Sequence, residues 1–209
     1  MSSETRFVVE KGNRSDVDEL AELYDALNDH FASRINYPGW IKGIYPIRDT
    51  AEKAIAEGSL FVCREGGDLA GSVVLNHVPE AAYAKTVWPT RAEYDEIVVV
   101  RTLAVHPRCF KKGVALRLLK FAENYAVGHE QKAIRLDVFT GNTPAIALYE
   151  KFGFRYVDTV DLELGIPELQ YFRLYELPCR NDALPMRVAA TPTSGDIIFN
   201  GLDNIEKSL

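Results

Sequence analysis

The chain has 209 residues, 47% hydrophobic and 26% charged, the balance of one globular domain with room for a short extension. Its formal net charge of −6 argues against nucleic acid, whose phosphates ask for a basic surface, and suits a cationic partner. No apolar run approaches the ~20 residues of a membrane span, the first residues lack a secretory stretch, and Cys63, Cys109 and Cys179 have neither metal spacing nor a disulfide framework; a cytoplasmic protein with no metal and no membrane is expected.

Arg6 to Glu10 reads as a first strand. Val17, Leu20, Tyr24, Leu27 and Phe31 follow in steps of three and four, which predicts a helix with one apolar face. Ser15 is placed to cap it, with Asp18 as the capping-box partner. Ser33 to Arg48 holds two prolines and two glycines and reads as a loop or broken helix. Its aromatics, Trp40 and Tyr45 among them, fit either a pocket lining or a seal at the edge of the core. Asp49 to Glu57 is helical and stops at Gly58. Leu60 to Cys63 and Leu69 to Asn76 form a hairpin about the turn Glu65-Gly66-Gly67-Asp68.

Pro79 to Tyr94 is irregular. Ile97 to Val105 is a long β-branched run, as in a strand buried on both faces. Past a glycine loop, Val114, Leu118, Phe121, Ala122 and Tyr125 mark the buried stripe of a helix. Ile134 to Phe139 is a strand, and Asn142 to Phe152 a helix with Asn142 as N-cap and Gly153 past its end. Phe154 to Leu162 and Gln170 to Leu177 read as a closing hairpin. The domain is expected to span 1–178, with 179–209 a C-terminal extension. That extension is a loose tail or, alternatively, an extra hairpin or dimer-contacting arm from Met186 to Ala190 and Asp196 to Asn200. A homodimer is left open on this basis.

The segment from Leu103 to Ala115 carries the chemistry. A buried strand ends and a helix begins within a few residues, so the first N–H groups of that helix converge on one spot that the helix dipole makes positive. A phosphate or pyrophosphate is its natural occupant. Gly113 lets the main chain come close, Ala115 keeps the first turn open, and Lys111 and Lys112 add charge. The loop is not a Walker loop, since Val114 follows Gly113, and no Gly-x-Gly-x-x-Gly fingerprint occurs.

Leu103, Val105, Pro107, Gly113 and Ala115 stand in register with a strand of form Leu-x-Val-x-Pro and a loop of form Gln/Arg-x-x-Gly-x-Gly/Ala. Asn142, Ala145, Leu148, Tyr149, Gly153 and Phe154 match a second block, Asn-x-x-Ala-x-x-Leu-Tyr-x-x-x-Gly-Phe, at the right distance downstream. With these two blocks the sequence resembles the GNAT superfamily of acyl-CoA-dependent N-acyltransferases over roughly residues 6–176. The stretch from Trp40 to Pro46 and the Trp88 region look like those of its bacterial small-molecule members. The resemblance implies an α/β (α+β) fold: a mixed, largely antiparallel central sheet of about seven strands flanked by about four helices. It also implies acetyl-CoA as cosubstrate and an amine as acceptor.

On that resemblance, main-chain groups of Leu103, Ala104 and Val105 pair with the pantetheine amides as an added strand would. The loop of Phe110, Lys111, Lys112, Gly113, Val114 and Ala115 holds the pyrophosphate through its N–H groups, with Phe110 standing where Gln or Arg is usual. Asn142 reaches the pantetheine arm in addition to its role as N-cap, and Ala145 of the same block is counted with the cofactor site.

Tyr149 is the candidate acid for the CoA thiolate, since a phenol with a pKa near ~10 is protonated at neutral pH. The other reading has it pack on the strand and only hydrogen-bond the sulfur. Trp40, Tyr45 and Arg101 are candidate acceptor-site residues. Arg101 interrupts an apolar strand and either faces the acceptor or pairs with a buried acid. The base is not evident. Val99 occupies the place where some members carry Glu, and Glu93, Asp95, Glu96, His30 and His77 are not fixed near the site by spacing. An acetyl transfer to a small primary amine is therefore expected, with a protein N-terminus or lysine as another acceptor class. A non-catalytic acyl-CoA-binding sensor is the rival.

Overall fold

Residues 7–179 are described by the computed structural model, and within them seven strands form one sheet. In chain order the elements are β1 (Phe7–Lys11), α1 (Val17–Ala32), α2 (Arg48–Ala56), β2 (Leu60–Glu65), β3 (Asp68–Asn76), β4 (Ile97–Val105), α3 (Val114–Gly128), β5 (Ala133–Phe139), α4 (Thr143–Phe152), β6 (Arg155–Asp161) and β7 (Tyr171–Pro178). The strand order is β1-β2-β3-β4-β5-β7-β6. Only the β4–β5 neighbours run parallel. This mixed, largely antiparallel sheet with four α-helices has the architecture expected. The closing pair carries a twist of topology: β7, not β6, lies beside β5. Residues 180–209, and with them both readings of the extension, lie outside the described residues.

The N-terminal cap of α1 differs from expectation. Asn13, not Ser15, is the capping side chain: it accepts from the Ser15 N–H, and Asp16 accepts from the Asn13 N–H in return. One tight turn, Arg14–Asp16, thus precedes the helix. Asp18 instead pairs with Arg48 at the start of α2. The Asp16 carboxylate also meets Arg64, which reaches Glu10 and Glu19 as well and ties β1, α1 and β2 together. At the other cap, Asn142 accepts from the Ala145 N–H, and Gly153 closes α4 at a φ of 119° that favours glycine.

The helices form two layers. Leu20, Leu23, Tyr24 and Leu27 of α1, with Ala51 and Ala54 of α2, cover one face of the sheet over Leu60, Val62 and Val74. Val114, Leu118, Leu119, Phe121 and Ala122 of α3, with Ile146 and Tyr149 of α4, cover the other face over Val73, Val98, Ile134 and Leu136. Gly71 permits the close approach of α3: a Cβ there would stand 2.7 Å from the Ala104 oxygen and 3.0 Å from Val114. Beyond the helices, Arg135 and Glu176 pair across β5 and β7 at 3.0 Å, with side chains only 2% and 1% exposed. Trp88 lies 4.2 Å from the Arg135 guanidinium carbon, and Thr90 bonds to both partners.

The sequence reads β4 as one strand buried on both faces, and this holds only for its first half. Ile97 to Val100 are buried, whereas Arg101, Thr102, Leu103 and Val105 are half-buried. The pairing with β3 runs Val74–Arg101 and then Ser72–Ala104, so β4 carries one extra residue there. Thr102, with a φ of 45°, sits in this bulge. The bulge inverts the alternation. Ile97 and Val99 share one face, yet past the bulge it is Ala104 that packs toward α1, while Leu103 and Val105 pack toward α3.

Candidate functional site

β4 and β5 pair over three positions only, Ile97–Ala133, Val98–Ile134 and Val99–Arg135. Both strands continue past this point, β4 to Val105 and β5 to Phe139, without pairing. The sheet therefore opens into a wedge. An open groove of about 2960 Å3 is lined from both sides of the wedge, by Val100 to Leu103 and Val105 on one strand and Asp137 to Phe139 on the other.

One end of the groove is the start of α3. The first bond inside this helix runs from the Arg117 N–H to the Gly113 carbonyl. The N–H groups of Gly113, Val114, Ala115 and Leu116 thus have no acceptor within it. Gly113 is the N-cap at a φ of 75°, and Lys111 before it has a φ of 61°. Such a donor set fits a pyrophosphate and needs no side chain. Three side chains of the loop are engaged within the protein. Phe110 lies edge-on to His30 and beside Phe31 at the end of α1, and Lys112 pairs with Glu65 at 3.1 Å. Val114 points into the core. Of the three strand residues singled out by sequence, Leu103 and Val105 line the groove. Ala104 has its side chain in the core toward α1, which leaves only its main chain for a ligand.

From the other side, α4 brings Asn142, Ala145 and Tyr149 to the same groove. Tyr149 is 8% exposed and stands edge-on to Phe154. Burial raises its phenol well above the usual value, and the nearby Asp137 charge adds to this, so it is a neutral donor at any moderate pH.

The remaining end of the groove carries Trp40, Tyr45 and Arg101 together. Trp40 and Tyr45 meet edge-on at 5.8 Å between ring centres. The Tyr45 hydroxyl bonds to the Thr102 hydroxyl in the bulge. Arg101 lines the groove and is paired with Glu80, a half-buried acid, and it also donates to the Val78 carbonyl.

Of the candidate bases from sequence, only His30 lines the groove. Glu93 and Glu96 cap one turn between themselves, Glu96 pairs with Lys132, and His77 bonds to the Ile97 carbonyl. None of the three lines the groove, while His30 does so at the Phe110 end. Asp137 is a carboxylate that sequence reasoning passed over, as are Glu65, Glu80 and Glu123 of the same lining, each of which is paired with a cation. Asp137 lines the groove at the wedge and accepts from the Tyr83 hydroxyl at 2.7 Å. The signal was there: Asp137 interrupts the apolar strand Ile134 to Phe139 just as Arg101 interrupts its neighbour. Among the described residues, no three His, Cys, Asp or Glu side chains gather as metal ligands, and no helix is long and apolar enough to cross a membrane.

The family model for the acetyltransferase (GNAT) family matches residues 20–154. Over 75 residues the chain is 39% identical to the UPF0157 protein YqkA of Bacillus subtilis (strain 168), covering 35% of this chain and 20% of that one. Over 87 residues it is 34% identical to streptothricin acetyltransferase of Escherichia coli, covering 42% of this chain and 41% of that one. The chain thus spans less than two thirds of the length of either relative. Its fold is similar to that of yncA from Salmonella typhimurium, solved with its cofactor acetyl-CoA: the TM-score is 0.62 at 16% identity, over 86% of this chain and 98% of that one.

Proposed function

Since the chain belongs to the acetyltransferase (GNAT) family, we propose that it transfers an acetyl group from acetyl-CoA to the primary amine of a small molecule. One observation carries the reading. A single groove has the free N–H groups of α3 at one end, Tyr149 at the wedge, and an aromatic recess beside Arg101 and Glu80 at the other. The likeness to streptothricin acetyltransferase, whose name is that of a small-molecule enzyme, favours the small acceptor.

In this reading the N–H groups from Gly113 to Leu116 hold the pyrophosphate. The open edges of β4 and β5 take the pantetheine arm, with Asn142 and Ala145 alongside. Acetyl-CoA supplies an activated thioester when bound. The Tyr149 hydroxyl protonates the departing thiolate, a role that suits a phenol kept neutral by burial. A main-chain N–H near Val105 polarises the carbonyl.

The test is an assay of acetyl-CoA with an amine panel, read by release of free thiol. Turnover of a small amine supports the reading. Tight CoA binding without turnover on any amine overturns it in favour of a sensor. For the acid role, Tyr149→Phe is expected to bind CoA normally and to lose roughly 100-fold or more in kcat. Unchanged kcat would remove Tyr149 from the chemistry.

A further inference from the structure

Resting on that reading, we infer that Asp137 accepts the proton from the acceptor's ammonium, as the general base that the sequence did not reveal. Asp137 enters the groove from the sheet face that carries Ala133 and Leu174, and Tyr149 from the face that carries α3 and α4. Both line the one groove at the wedge. A thioester lying between the open strands therefore has a carboxylate on the acceptor side and a phenol on the helix side. That is the separation of duties an amine acylation needs: one group to take a proton from nitrogen, another to give one to sulfur.

The surroundings of Asp137 suit this work. Tyr83, itself fully buried, donates to its Oδ1 and holds the carboxylate in place, leaving Oδ2 for a ligand. Trp88 in turn donates to the Tyr83 carbonyl and lies tilted beside its ring at 5.2 Å between centres, so the orienting phenol is fixed by its own neighbours. The charged and titratable groups acting on Asp137 are Arg101, which favours its ionised form, and Glu80, which opposes it; Asp137 in turn acts on Tyr45 and Tyr149. Because Glu80 is paired with Arg101, Asp137 is the acid of this group without a cationic partner. Burial raises its carboxyl above the usual range, against the Tyr83 bond and the Arg101 charge. It is a better base than a surface aspartate in consequence.

One ammonium proton passes to Asp137 and from there to solvent. The freed lone pair forms the C–N bond, and the C–S bond breaks. Sulfur receives the Tyr149 proton, and the phenol is refilled from the second proton lost by nitrogen. The sum is amide, free thiol and one released proton.

The experiment uses an alkylamine that the unaltered protein turns over and its β,β-difluorinated analogue, whose ammonium gives up a proton more easily. Asp137→Asn is expected to bind CoA normally and to lose about 100-fold in kcat/KM on the alkylamine, but less than about tenfold on the fluorinated analogue. Tyr83→Phe removes a bond that favours the carboxylate, so the acidic limb of the kcat/KM profile moves to higher pH. An equal loss on both amines, as from a misplaced Tyr83, overturns the inference. So does an acidic limb that stays in place in Tyr83→Phe, or Asp137→Asn with undiminished rate. If the unaltered protein turns over no amine, the parent reading falls first and takes this one with it, an outcome seen before any variant is compared.

Discussion

The hydroxyls of Tyr45 and Thr102 meet, joining the loop between α1 and α2 to the bulge in β4. Thr102 holds a φ of 45° that few β-branched residues adopt. The wall of the aromatic recess is thereby fastened to the strand that borders the wedge.

Tyr45→Phe should loosen that wall without reaching the helix end. Loss of a hydrogen bond worth about 1 kcal/mol corresponds to roughly a fivefold rise in KM for the amine. The Kd for acetyl-CoA, measured by calorimetry, is expected to stay the same. An equal weakening of both ligands would mean that the bond braces the whole groove.

Gly113→Ala and Gly66→Ala form a matched pair. Both glycines have positive φ, 75° and 62°, but only Gly113 lines the groove. Each variant should lose about 1 kcal/mol of stability from strain. Only Gly113→Ala should also weaken acetyl-CoA binding, by roughly tenfold, as its main chain shifts from the pyrophosphate. Equal binding in the two would place the pyrophosphate elsewhere.

Asp137 gives a dependence on pH with a definite sign. Burial holds its carboxyl above the value of the unfolded chain, ~3.9. The folded state therefore keeps this proton longer, and the favourable contribution, full below the unfolded value, is lost as pH rises through the folded one. Asp137→Asn escapes the loss. Relative to the unaltered protein, its stability in urea should improve as pH rises above about 4, while activity falls. A difference that is flat with pH would mean that the carboxyl is not held up by its site.

Arg135 and Glu176 test the other half of the sheet. Glu176→Gln strands a buried guanidinium and should cost about 3–5 kcal/mol. Arg135→Met combined with Glu176→Leu should recover part of that loss, because two charges leave the interior together. Urea unfolding of the two variants decides it.

Local features were the legible ones. The apolar steps of α1 and α3, the Gly66-Gly67 turn and the Asn142 and Gly153 caps each depend on a few neighbouring residues, and each stands as read. The cap of α1 was misplaced because Asn13 and Ser15 both suit the role, and only the turn Arg14–Asp16 chooses between them. The bulge at Thr102 could not be read, since it exists only as a mismatch with β3. The same holds for function. Gly113 and Tyr149 stand in recognisable strings, whereas the company of Asp137, Tyr83 and Arg101 comes from segments 83 to 137 that only the sheet brings together. Phe110 looked like a departure from a binding loop and is accounted for by its seat against His30 and Phe31.

The short β4–β5 ladder makes the sheet a pair of leaves on one narrow hinge. Beyond its last pair, β4 runs on for six residues, Val100 to Val105, an arm of about 20 Å at ~3.3 Å per residue. Over such an arm a turn of only about 5° at the hinge displaces the far end by roughly 2 Å, close to half the spacing of neighbouring strands. The distance between the α3 end and Tyr149 thus depends on Ile97 to Val99, the most deeply packed part of β4, as well as on the packing of α3 against β5 and α4. Substitutions there, although outside the groove lining, have the mechanical advantage to alter the width of the groove.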